Sequence, residues 1–308
     1  VGTGALQLRR KPFVVQHSKT ALGTYLTITV HHHDAKEAEL SIKQAFAAVD
    51  HVDRLMSIHR SSSEVSHVNA MAGKDLVSVD PKIINVLGEA KRFHDLTAGC
   101  YDITCLPLMK LYGFYQTNTD RYPSDREIRQ TLERVGQEHI VIDAVNAKVG
   151  LTKSGSAIDL GSIGKGFAAD EAGRVLREFG IEHALIDVGG NLLAIGAPHE
   201  DVEPAKGWRV AIKNPAGDKE HAFFETLELR DQAIATSGNY EQQRILGHHV
   251  IGHIIDANSG IPTSQGISST VVAATAMQAD ALSTSAFLLG TSAKTSLGQV
   301  ATHISFHG

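Results

Sequence analysis

Ala184-Leu185-Ile186-Asp187-Val188-Gly189-Gly190-Asn191-Leu192-Leu193-Ala194-Ile195-Gly196 is the stretch whose reading settles the fold class. It reads as two short strands, near 184–188 and 191–196, divided by a glycine turn. Strands near 208–213, 223–229 and 249–256 follow, separated by Gly, Asn and Pro. Strands that mostly succeed one another directly, without a regular alternation with helices, favour an α+β fold with antiparallel sheet over a doubly wound parallel one.

The flanks agree. Thr24 to Val30 alternates apolar and polar residues from Leu26 on and reads as a strand. Asp34, with Glu37 as a capping-box partner, opens a helix whose apolar stripe is Ala38, Ile42, Ala45, Phe46, Val49 and Met56. Asp80-Pro81 opens a second helix, which Gly99 ends, and Ser124 with Glu127 forms another capping box. Residues 139–143 pair with 147–151, and a strand near 268–274 feeds a helix over 276–289. With no repeat and no linker, the chain reads as one compact unit of two interlocked lobes.

The 308 residues carry 29 Lys and Arg against 34 Asp and Glu, a net charge of −5, which argues against a nucleic-acid partner. No run approaches the length of a membrane span. Cys100 and Cys105 are too few for a disulfide framework or a four-thiolate metal site and read as buried thiols. The chain starts at Val1 without a leader pattern, which leaves open a cytoplasmic protein or one whose leader has been removed.

Three segments carry potential chemistry. Residues 157–166 (Ala-Ile-Asp-Leu-Gly-Ser-Ile-Gly-Lys-Gly) begin like a strand and run into a helix ending near Phe179. The glycines and helix-start amides suit an anion, Lys165 adds charge, and the spacing matches neither a P-loop nor a dinucleotide fingerprint. Asp280 and Thr284 fall one turn apart on a helix, with Ser283 beside them; they are either hard oxygen ligands of the kind magnesium takes or ordinary helix polar groups. In His249-Val250-Ile251-Gly252-His253-Ile254-Ile255, alternation sets His249, Ile251, His253 and Ile255 on one strand face, with His253 suited to general base work. Thr236-Ser237-Gly238-Asn239-Tyr240 reads as a turn that could hold a ribose or ring.

Taken in order, the segments form a series: Leu22-Gly23-Thr24-Tyr25, Met56-Ser57 with Ser63-Glu64-Val65-Ser66, Tyr101-Asp102-Ile103-Thr104 with Pro107-Leu108, and Tyr112-Gly113-Phe114. Asp159 to Gly166, Gly189-Gly190-Asn191, residues 236–240, His253 to Asp256 with Gly260-Ile261-Pro262, and Ala279-Asp280 with Ser283-Thr284 complete it. Over roughly residues 20–290 this series resembles the ApbE family of FAD:protein FMN transferases.

The resemblance implies an α+β, T-fold-like unit over 20–308, after an N-terminal extension of 1–19, with FAD in the cleft between the lobes. It implies a magnesium-dependent transfer of FMN from FAD to a threonine hydroxyl of an acceptor protein, typically a membrane redox subunit, with release of AMP. Magnesium falls to Asp280, Thr284, Ser283 and the Ser162 carbonyl; FAD to Leu22, His59, Cys100, Tyr101, Asp102, Asp159, Lys165 and Ile255; activation of the acceptor hydroxyl to His253, with the metal-holding Asp280 the other catalytic residue. A periplasmic or cell-envelope location is the matching expectation. Leu22, His59 and Ala257 depart from the residues common in the family. An FAD pyrophosphatase, with water in place of the threonine, and a non-catalytic flavin carrier are the alternatives.

Overall fold

The computed structural model describes residues 11–115, 119–199, 205–214, 217, 221–240, 242–263 and 268–307. Strands β1 (Phe13–Ala21) and β2 (Thr24–His32) form a hairpin, with Leu22 at φ 52° in its turn. Residues 13–19 are therefore hydrogen-bonded into a sheet and are not an extension ahead of the fold. Helix α1 (Ala35–Met56) follows, its Asp34 cap accepting from the Lys36 and Glu37 amides, and α2 (Glu64–Ala70) after it. A small sheet of β3 (Val77–Ser78), β4 (Ile140–Asp143) and β5 (Lys148–Leu151) brackets helices α3 (Pro81–Leu96), α4 (Leu106–Leu111) and α5 (Asp125–Leu132). Pro81 stands at the start of α3, and Ser124 and Glu127 close a reciprocal capping box on α5, as the sequence predicts.

The second half supplies α6 (Gly164–Glu178), β6 (Ala184–Val188), β7 (Asn191–Ile195), β8 (Trp208–Lys213), β9 (Phe223–Leu229) and β10 (Gln232–Gly238). Then come β11 (Gln243–Leu246), β12 (His249–Gly252), β13 (Ile255–Asp256), β14 (Ile261–Pro262), β15 (Ser268–Ala273), α7 (Ala276–Leu289), α8 (Ala293–Leu297) and β16 (His303–His307). The main sheet runs β1-β2-β6-β7-β10-β15-β16, antiparallel at every pairing. The expected α+β class with antiparallel sheet holds.

Period-two alternation sends Leu26, Ile28 and Val30 of β2 and Ala184, Ile186 and Val188 of β6 to one face, where α1 and α6 cover them, while α7 packs on β10 and β15. On the opposite face the β8–β9 hairpin packs Trp208, Val210 and Ile212 over Ala194, Ile234 and Val272. A separate core of Leu106, Leu108, Met109, Tyr112, Ile128, Leu246, Ile251 and Ile255 builds a smaller lobe. The separation of this core from those on the two faces of the main sheet is the physical content of the two lobes.

Three local readings are corrected. Residues 157–160 are not a strand: Asn69 takes the place of a neighbouring strand, its carboxamide accepting from Ile158 N and donating to Ile158 O, each at 2.8 Å. Residues 236–238 end β10 and are not a turn, because they pair with Ser268–Thr270 of β15. Strand β12 stops at Gly252, so His253 leaves the strand and the single face drawn through His249, Ile251, His253 and Ile255 does not exist.

Candidate active site

A cleft of about 850 Å³ opens between the lobes. Its floor is the crossing of α6 and α7. Gly166 makes the crossing close: a Cβ there would stand 2.1 Å from the Ala276 carbonyl oxygen. The Gly166 amide, an otherwise unsatisfied donor in the first turn of α6, reaches Asp280 Oδ2 at 2.9 Å. Asp280 is 3% exposed, and its Oδ1 lies 3.7 Å from Lys165 Nζ, which also donates to the Gly161 carbonyl at 3.2 Å. One carboxylate thus joins a helix start, a lysine and the cleft.

One turn along α7, Thr284 Oγ1 lies 3.1 Å from Ser237 Oγ, which in turn is 2.7 Å from Ser283 Oγ. Ser283 is fully buried, donates to the Asp280 carbonyl at 2.8 Å and is not among the residues facing the cleft. Asp280, Thr284 and Ser162 do face it. No three of His, Cys, Asp and Glu gather as a metal cluster among the described residues. The donor set is one buried carboxylate among hydroxyls, which fits magnesium, a cation that binds through few protein oxygens. It does not fit a zinc or iron centre.

Of the other predicted residues, Leu22, His59, Tyr101, Asp102, Asp159, Lys165, His253 and Ile255 face the cleft; Cys100 does not, being turned into the packing. Burial pushes the Cys100 and Cys105 thiols up, which keeps both protonated, and Cys105 also lines the cleft. Tyr101 accepts from Ser162 Oγ at 3.1 Å, and burial raises its phenol, which stays protonated. Asp159 Oδ1 accepts from the Gly161 amide at 2.9 Å. Its Oδ2 accepts from Tyr115 Oη at 2.7 Å, and the Tyr115 ring tilts against His59 with centroids 5.6 Å apart. Tyr115 is a site residue the sequence reading missed; it directly follows the quoted Tyr112-Gly113-Phe114, but no periodicity marks it. Burial, with the Lys165 charge, lowers the His253 pKa, so its imidazole is held neutral.

The ApbE family model matches residues 22–304. This chain belongs to the ApbE family. It is 31% identical over 273 residues to the FAD:protein FMN transferase of Klebsiella pneumoniae (strain 342), covering 87% of this chain and 77% of that protein. Identity to the FAD:protein FMN transferase of Escherichia coli (strain K12) is 29% over 273 residues, covering 87% and 76%. The crystal structure of the ApbE protein from Thermotoga maritima superposes with a TM-score of 0.84 at 28% identity, over 96% of this chain and 94% of that one. The flavin transferase ApbE from Vibrio cholerae gives 0.81 at 28% identity, over 96% and 93%. The motif series that suggested the family runs through the α6–α7 crossing and both walls of the cleft.

Proposed function

We propose that this chain transfers FMN from FAD to a threonine hydroxyl of an acceptor protein and releases AMP. The observation that carries the reading is the meeting of Asp280, Lys165 and the Gly166 amide at a cleft large enough for a dinucleotide. The names of the relatives, FAD:protein FMN transferases, point the same way.

A diphosphate repels an incoming oxygen, so the site must supply positive potential before attack. Lys165 and the start of α6 provide it. Asp280 and Thr284, with the Ser162 carbonyl, would hold magnesium, which when bound neutralises phosphate charge. Ser283 supports these ligands from behind by fixing the Asp280 carbonyl and the Ser237 hydroxyl. A threonine hydroxyl is a weak nucleophile at neutral pH. The neutral His253 imidazole, facing the cleft, would take its proton as the hydroxyl oxygen bonds to the FMN phosphorus and the bond to AMP breaks. We place the acceptor among membrane redox subunits and the reaction in the cell envelope, on the family resemblance.

The test is incubation with FAD, magnesium and a threonine-bearing candidate acceptor, read by in-gel flavin fluorescence and the acceptor's intact mass. A mass gain of one FMN moiety with stoichiometric AMP supports transfer. Rapid AMP and FMN release with no labelled acceptor would make the chain an FAD pyrophosphatase instead.

A further inference from the structure

Asp102 faces the cleft, yet its carboxylate does not: the side chain is 1% exposed. Oδ1 accepts from Thr104 N at 2.7 Å and Thr104 Oγ1 at 2.6 Å, and Oδ2 lies 3.1 Å from His94 Nδ1. Thr104 Oγ1 also accepts from the Gly136 amide at 2.7 Å. What position 102 presents to the cleft is therefore main chain. The carboxylate is an internal clasp that ties the 101–104 loop to α3 on one side and to Gly136 on the other.

His94 lies in the last turn of α3, where the helix carbonyls favour a cation. Gly99, at φ 87°, turns the loop beside the ring, where a Cβ would stand in van der Waals contact with His94 Cε1 at 3.5 Å and crowd Asn258 Oδ1 at 3.0 Å. The other ionisable groups around the ring have their own engagements. Asp95, on the same helix, bonds Lys91 at 3.1 Å; across the loop, Asp256 accepts from Asn258 N and Ser259 Oγ; burial keeps Cys100 a thiol.

We propose that His94 is a positioning residue for FAD: carrying its proton, it holds the Asp102 carboxylate and thereby sets the 101–103 main chain on which FAD rests. This builds on the reading of the cleft as the FAD site. The 3.1 Å approach is an ion-pair contact without hydrogen-bond alignment, so its attraction is one that a neutral imidazole loses. The Asp102 contact raises the His94 pKa above the ordinary imidazole value, against the opposing effect of burial. The proton is accordingly in place below about pH 6.5 and lost as pH rises through the raised value. By linkage, FAD must raise the His94 pKa further, by about one unit for each tenfold gain in affinity.

The experiment is FAD titration of the full chain, followed by flavin fluorescence without acceptor and at fixed magnesium, from pH 5.5 to 9. Wild type should weaken about tenfold as His94 deprotonates. His94→Gln should bind about tenfold more weakly than wild type at pH 6 and match it at pH 9, and Asp102→Asn should lose the same transition. Circular dichroism at each pH confirms folding. Should His94→Gln fail to fold, the His94 ring titration of wild type by NMR, with and without FAD, decides the matter, since an unmoved pKa overturns the proposal. So does a His94→Gln variant that tracks wild type across the range. A wild type that binds no FAD at any pH would instead end the reading of the cleft itself.

Discussion

Asp170 and Asp280 each hold the first turn of the helix that carries the other. Asp170, on α6, accepts from the Ala276 and Met277 amides of α7, both at 2.8 Å, and Asp280, on α7, accepts from the Gly166 amide of α6 at 2.9 Å. The exchange satisfies buried helix-start amides that water cannot reach and locks the two helices in register. The residue that faces the cleft is thus also a structural cap.

Replacing Gly166 by alanine should break this register. The added Cβ would meet the Ala276 carbonyl oxygen at 2.1 Å and Asp280 Cβ at 2.8 Å, and backbone offers no rotamer by which to escape. Overpacking of this kind costs about 1–3 kcal/mol or more. Urea unfolding should show that loss, and FAD turnover should fall with it; a variant of wild-type stability would show that the crossing can open freely.

Asp170 should make stability depend on pH. Burial pushes its carboxyl from 3.8 up to about 6, against the two amides that lower it. The folded state therefore binds the proton more tightly than the unfolded chain, so this contribution falls as pH rises from about 4 to about 6 and is flat above. Asp170→Asn should remove that slope from urea midpoints measured between pH 4 and 7. Asp170→Ala, which deletes the cap outright, should cost about 1–2 kcal/mol at pH 7.

Asp280→Asn separates the two duties of that side chain. An amide oxygen still accepts from Gly166, so the melting temperature should change little, while the charge facing Lys165 and the cleft is gone. AMP release from FAD should fall by about 10²-fold or more. Full turnover in a folded variant would remove Asp280 from the chemistry and leave it as a cap.

His253→Gln should reduce transfer to a threonine acceptor by about 10²–10⁴-fold while leaving FAD binding near wild type. Because burial lowers the His253 pKa, its base form persists through pH 6.5, and the acid limb of wild-type transfer should fall below that pH. In the variant that limb should vanish. Its persistence would assign the base to another group.

Much of this was legible without coordinates where the physics is local. Pro81 and the Ser124–Glu127 box start helices because their bonds lie within four residues, and β2 and β6 declare themselves through alternation that one buried face demands. Strand β1 did not: its residues pair at the sheet edge with hardly any buried, so no apolar period marks it. Residues 232–238 concealed β10 because their polar end, Thr236-Ser237-Gly238, is paid for by pairing with β15, 30 residues away in sequence.

The ordered motifs of the sequence by themselves pointed to the family, to the α+β class and to many, though far from all, of the residues that face the cleft. Only the tertiary structure decided how each one serves: Ser283 behind the site, Cys100 turned inward, the Asp102 carboxylate spent on His94 and Thr104, Tyr115 brought onto Asp159 and His59. The reason is one of range. Capping, turns and alternation act between near neighbours and leave a trace in residue order. The partner of a buried carboxylate is whichever donor the packing of distant segments brings within hydrogen-bond reach, and for Asp280 that donor lies 114 residues away.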